Sequence, residues 1–133
     1  MVRANIIPQE KRSESAEMYL ETLLLLEQKS SKVRQVDLAK ALGYKRSTVH
    51  ISLKSLQANG WVTFADETFL RLTDQGRLLA SEVYARHQLF AKFLQSIGVN
   101  DSVAQQDACK IEHVVSAETV EQLKAFCSKI FDH

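Results

Sequence analysis

A thiol, a carboxylate and an imidazole fall within five positions of the stretch DACKIEHVVS, residues 107–116: Cys109, Glu112 and His113. All three side chains ligate divalent transition metals, and a cysteine beside a histidine can also serve as a nucleophile or redox centre. On a helix turning about 100° per residue the three lie within about 100° of arc. Ala104, Ala108, Ile111 and Val115 gather on an arc displaced by about 120°. The spacing therefore predicts a helix through residues 107–115 whose ligand face is separate from its apolar stripe. Three donors from one helix cannot complete a coordination sphere, so other helices must contribute.

Few residues are available to do so. Of the four histidines, His50 lies in a basic segment and His133 is the last residue. That leaves His87, beside Val83 and Phe90, which reads equally as a histidine at the edge of a core. Met18 and Glu21 are three apart on a predicted helix and hence on one face, although Met18 alone reads as core.

The elements that must position these groups follow from periodicity. Residues 1–12 hold the single proline and no helical period, and read as a flexible tail. Ser13 or Ser15 caps a first helix ending near Ser30. A short helix over residues 35–42 has Val36, Leu38, Ala39 and Leu42 as its apolar side, and Gly43 supplies the positive φ of a tight exit. A further helix carries Val49, Leu53 and Leu56 and stops at Asn59-Gly60. WVTFADETFLRLT, residues 61–73, alternates, turns at Asp66-Glu67 and alternates back, a two-stranded hairpin. Thr73 caps a long helix with the stripe Leu79, Val83, Phe90, Phe93 and Ile97, closed by Gly98. Asn100 or Asp101 caps the helix of the opening stretch, and Ser116 caps a last one.

This order predicts a mainly α protein in three parts. They are the tail, a winged helix-turn-helix over residues 13–76 with a two-stranded wing, and a helical domain over 77–133. Charge supports the assignment. Residues 31–60 carry six basic side chains against Asp37 alone, a local charge of +5, while the remainder carries 11 basic and 15 acidic residues, or −4. A basic segment in a mildly acidic molecule implies a polyanion contact on one face. In a helix-turn-helix the second helix enters the major groove of double-stranded DNA. Here Lys45, Arg46 and Lys54 suit phosphates, and Arg46 also reaches a guanine edge. Ser47 and Thr48 can donate to phosphate or base, Thr48 can touch a thymine methyl, and His50 and Ser52 complete the polar side. The acidic tip at Asp66-Glu67 argues against a strong wing contact.

Composition excludes other classes. A hydrophobic content of 45% with 25% charge is that of a globular chain. The longest aliphatic run, residues 23–26, is far too short to span a membrane, and no signal peptide is evident. Two cysteines make no disulfide framework. The expectation is a reducing, cytoplasmic setting without membrane partners.

EMYLETLLLLE at 17–27, the helix-turn-helix, RHQLFAKFL at 86–94 and DACKIEHVVSAETVEQL at 107–123 together resemble the diphtheria-toxin-repressor family of metal-dependent transcriptional regulators. That family includes iron-dependent repressors and manganese transport regulators. The resemblance spans about residues 13–125, and its E-M-Y, R-H-x-L and C-x-x-E-H motifs occur in the family's order. It implies that Met18, Cys109, Glu112 and His113 match the primary regulatory site of the iron-type branch, that His87 matches a ligand of the neighbouring site, and that Glu21 matches a manganese-type ligand. The chain departs from the iron-type pattern at Ala91, where that branch has glutamate, and at Gln105, where it has histidine. The SH3-like third domain of that branch has no counterpart in these residues. It departs from the manganese-type pattern at Met18 and Cys109, aspartate and glutamate there. Thioether and thiolate donors favour Fe²⁺ over Mn²⁺, whereas raw affinity would favour Co²⁺, Ni²⁺ or Zn²⁺.

The resemblance thus implies a homodimeric, metal-activated repressor of metal-homeostasis genes, reading a palindromic operator, with no enzymatic activity and no small-molecule substrate. Two rival readings use the same residues. One is a winged-helix thiol sensor built on Cys109. The other is a metalloenzyme, for which no general base or oxyanion donor stands at a recognisable spacing.

Overall fold

The computed structural model describes residues 13–65 and 68–131. The proposed tail at 1–12, the turn at Asp66-Glu67 and His133 lie outside the described residues. The chain divides into two compact units, 1–81 and 82–133, with the division inside one helix.

The first unit opens with α1 (Glu14–Lys29). Ser13 is its cap, accepting from the Ala16 N–H at 3.0 Å, and Glu14 and Glu17 sit where the helix dipole favours negative charge. Tyr19, Leu20, Leu23 and Leu24 are buried. Helix α2 (Gln35–Leu42) starts where Asp37 accepts the Arg34 N–H at 2.9 Å and ends at Gly43, φ 72°. An L-residue with a side chain rarely holds that conformation, so Gly43 allows the chain to turn at once into α3 (Arg46–Ala58). Val49, Leu53 and Leu56 face inward, each burial worth about 1.5–3 kcal/mol. On α2 only Leu38 and Ala39 are fully buried; Val36 and Leu42 are half-buried.

Strands β1 (Val62–Ala65) and β2 (Phe69–Leu72) pair antiparallel with Val62 opposite Leu72 and Ala65 opposite Phe69. The inward face of β2 is Leu70 and Leu72, leaving Arg71 to solvent. Val33 bridges Leu70 from the α1–α2 connection, with the Leu70 N–H donating to the Val33 carbonyl at 2.7 Å. The three helices and the wing bury Tyr19, Leu38, Leu53 and Leu70, and Trp61 is fully buried with them. Helix α4 (Asp74–Ser96) starts as expected at Thr73, whose Oγ1 accepts the Gly76 N–H at 3.0 Å and donates to the Gly60 carbonyl at 2.6 Å. Gly76 admits no side chain, because a Cβ there would overlap the Trp61 carbonyl.

In the second unit the rest of α4 is accompanied by α5 (Asp101–Ile111) and α6 (Ala117–Phe131). Phe90, Ala91, Ala108 and Val120 form a buried cluster against which Leu89, Ile111, Val115 and Leu123 pack. Asn100 caps α5 by accepting the Ser102 N–H at 2.9 Å, and Ser116 caps α6 by accepting the Thr119 N–H at 3.1 Å. Two expectations are corrected. Ile97 is 63% exposed and does not join the α4 stripe, since the helix has already given way to the Gly98 exit. Helix α5 ends at Ile111 rather than running to Val115. The Glu112 N–H still reaches the Ala108 carbonyl, but the Val114 N–H bonds to Ile111, three residues back, and the chain tightens into a turn. Among the described residues no helix is long and apolar enough to cross a membrane.

Candidate metal centre and DNA-facing helix

The early end of α5 leaves Cys109 on its last turn and Glu112 and His113 in the turn that follows. One ligand atom from each of these three lies within 4.8 Å of the others, so the structure brings together the trio first seen in the sequence. His87, on α4, joins them. Its Nδ1 is 3.0 Å from Glu112 Oε2, while His113 Nε2 is 3.2 Å from Glu112 Oε1. The Glu112 side chain is 0% exposed, and those of His113 and His87 only 3% and 17%. Within the ligand face Glu112 is as buried as the Phe90–Ala108 cluster, whereas Cys109 and His87 are half-buried. Burying a carboxylate costs several kcal/mol unless a cation compensates it. Cys109, Glu112 and His113 form one group of donors, and His87 meets the other oxygen of the same carboxylate; this donor chemistry fits a divalent transition metal.

Two side chains that sequence reasoning passed over as site residues hold this arrangement. Arg86 Nη1 donates to the Glu112 carbonyl at 3.2 Å and Nη2 to Glu82 Oε1 at 3.0 Å, so the ligand-bearing turn is tied back to α4. Gln105 Oε1 lies 2.7 Å from His87 Nε2. The Tyr84 ring stacks near-parallel to the His87 imidazole at 6.3 Å. Adjacency of Arg86 to His87 in RHQLF was the available signal for the first, and for Gln105 it was the resemblance, which has a histidine there in the iron-type branch. Ala91, where the iron-type branch has a glutamate, is part of the apolar cluster and offers no donor.

In the first unit Met18 and Glu21 sit one turn apart on α1, Met18 half-buried and Glu21 buried. The Tyr44 hydroxyl donates to Met18 Sδ at 3.8 Å. Of the two cysteines, Cys109 is half-buried and Cys127 buried on α6. Burial pushes the Cys127 thiol up, only partly offset by Lys92.

On α3, Lys45, Arg46, Ser47, Thr48, His50 and Lys54 are exposed, whereas Ser52 is half-buried beside the core edge. His50 Nδ1 is 3.3 Å from Gln35 Oε1 on α2, which orients the ring. Ile51 was missed. It lies about 200° from Val49, in the middle of the outward face, and is 70% exposed. The signal was present in its position opposite Val49, Leu53 and Leu56.

This geometry agrees with comparison to known proteins. Residues 11–68 match the iron dependent repressor N-terminal DNA binding domain, and residues 73–131 match the iron dependent repressor metal binding and dimerisation domain. An uncharacterized HTH-type transcriptional regulator of Methanocaldococcus jannaschii is 33% identical over 122 residues, covering 90% of this chain and 98% of that protein. The transcriptional regulator MntR of Escherichia coli is 36% identical over 118 residues, 89% of this chain and 76% of MntR. A manganese-dependent transcriptional repressor solved with manganese has a TM-score of 0.76 at 28% identity. That match covers 83% of this chain and 51% of the solved one, so the chain spans about half its length. With both of its domains matched and relatives of this identity, the chain belongs to the iron-dependent repressor family of metal-dependent, DNA-binding transcriptional regulators, which are not enzymes.

Proposed function

We propose that this chain is a cytoplasmic, homodimeric repressor activated by Fe²⁺ or Mn²⁺ that reads a palindromic operator at metal-homeostasis genes. The observation that carries the reading is the Glu112 carboxylate, wholly buried between His87 and His113 with Cys109 alongside. A bound divalent cation would supply the positive charge against which these donors are buried together. By the family resemblance, Met18 and Glu21 on α1 would contribute further donors to the bound metal. Helix α1 packs on α2, and α2 on α3. Restraining α1 thereby restrains the reading helix. The metal-bound arrangement must be the DNA-competent one, and by linkage DNA tightens metal by the factor that metal tightens DNA.

Lys45, Arg46 and Lys54 contact phosphates, Arg46 also a guanine edge, and Ser47, Thr48, His50 and Ser52 the remaining polar positions. Two copies related by a twofold axis place two such helices in successive major-groove faces, which a palindrome matches. The sulfur donors Met18 and Cys109 put Fe²⁺ ahead of Mn²⁺.

The experiment is selection of duplexes from a randomised pool, followed by binding titrations with Fe²⁺ under anaerobic conditions and with Mn²⁺. Reversible loss of binding on chelation supports the reading. Binding that ignores chelator and responds only to oxidant replaces it with the thiol sensor.

A further inference from the structure

Seen down its axis, α3 has distinct sides. Val49, Leu53 and Leu56 face the core, and Ser47 and Ile51 occupy the middle of the outward side. Between the two runs a flank. Arg46, His50 and Lys54 follow one another there at four-residue intervals, all exposed, within about 80° of arc and about 6 Å apart along the axis. His50 is the middle member and lies about 100° from Ile51. Two long basic side chains with an imidazole between them make a line of donors, which suits a phosphate backbone better than base edges.

Arg46 and Lys54 can reach by length. An imidazole is short and two-sided, so its direction decides what it can touch. His50 Nδ1 is 3.3 Å from Gln35 Oε1, and Gln35 is the half-buried first residue of α2. Among the described residues this is the one side-chain hydrogen bond joining α2 to α3. It turns Nδ1 toward α2 and leaves Nε2 on the far side of the ring. A primary amide suits this task because it can offer either its oxygen or its NH₂ group. It can hold a charged His50, whose Nδ1 donates, and equally a neutral one protonated on Nε2, whose Nδ1 accepts. In both of those forms an Nε2–H is left to donate away from α2.

We infer that Gln35 is a positioning residue for DNA binding: it holds the His50 ring so that Nε2 donates to a phosphate oxygen, in line with Arg46 and Lys54. Ser47 and Ile51 are then left to the base edges. This rests on α3 being the DNA-facing helix and needs no metal.

The test uses the full chain with Gln35→Met, Gln35→Leu, His50→Ala and the double variant Gln35→Met with His50→Ala. Affinity is measured for a non-specific duplex at low salt and for a duplex selected from the randomised pool. Each titration is run with and without Co²⁺, so that a failure of metal activation shows separately and leaves the comparison standing. His50→Ala should weaken both duplexes about fivefold, the value of one net hydrogen bond, and each Gln35 variant about threefold. Base preference should not change. The double variant should bind no more weakly than His50→Ala, since without the ring Gln35 has nothing to hold. Replacing single phosphates of the selected duplex by neutral methylphosphonates should find one whose loss weakens the wild type and costs His50→Ala and Gln35→Met nothing. Losses that add in the double variant overturn the inference, as does unchanged affinity in both Gln35 variants. A preference altered at one base pair overturns it too, because His50 would then read a base. Wild-type protein that binds no duplex removes it together with the assignment of α3, whereas a loss in Lys54→Ala with none in His50→Ala removes it alone.

Discussion

The Tyr44 hydroxyl donates to the Met18 sulfur at 3.8 Å, joining α1 to the residue that precedes the start of α3. Met18 is a proposed ligand and Tyr44 lies between Gly43 and the Lys45 cap, so the contact links the two functions within the first unit. A thioether is a weak acceptor, and this hydrogen bond competes with metal for the same lone pairs. Tyr44→Phe should therefore raise Co²⁺ affinity by about twofold, the lower end of a net hydrogen bond at roughly 0.5 kcal/mol. Calorimetric titration reads it, and a fall in affinity would show that Met18 is not a ligand.

Cys109 and Cys127 should behave as opposites. Cys109→Ala should abolish metal-activated DNA binding with the helical circular dichroism intact, and Cys109→Glu should keep activation while moving preference toward Mn²⁺, the carboxylate being the harder donor. Cys127→Ala should leave the metal response alone and lower unfolding free energy by about 1 kcal/mol, through the small cavity left in α6 packing. With its thiol pushed up by burial, Cys127 should alkylate slowly at neutral pH. Activation that survives Cys109→Ala with an unchanged midpoint removes Cys109 from the site.

Arg86 holds the Glu112 carbonyl rather than any donor atom. Arg86→Ala should weaken Co²⁺ binding about tenfold, the low end for a supporting residue, and leave the α3 surface untouched. Non-specific DNA binding measured without metal should accordingly be unchanged; a parallel loss there would mean the fold had been damaged.

On α3 the substitutions should separate by kind. Lys45→Ala or Lys54→Ala should weaken binding to all sequences and lower the salt slope by about 1 each, the mark of a lost phosphate contact. Thr48→Ala and Ile51→Ala should instead change sequence preference. Ile51, apolar and outward, is suited to a thymine methyl, so replacing operator thymines by deoxyuridine should weaken the wild type more than Ile51→Ala. Equal losses in both proteins would show that Ile51 faces no methyl.

Gly76→Ala should destabilise by about 3 kcal/mol in urea unfolding, because the added Cβ overlaps the Trp61 carbonyl and α4 must shift at its cap. A cost under about 0.5 kcal/mol would mean that α4 and Trp61 separate readily.

What the sequence determined by itself was everything encoded over one or two turns. Val49, Leu53 and Leu56 mark α3 at helical spacing, Gly43 and Thr73 mark an exit and a cap, and the C-x-x-E-H spacing alone brings Cys109, Glu112 and His113 to one side. These are local because propensity, capping and i, i+3 or i+4 geometry act within a few residues. Tertiary structure decided the rest. It ended α5 at Ile111, aimed His87 Nδ1 at a carboxylate 25 positions away in the chain, set Gln105 against Nε2 and carried Arg86 to the Glu112 carbonyl. No periodicity reports which nitrogen of a ring faces which neighbour. That choice follows from how α4 and α5 pack, and packing is settled by the whole core at once.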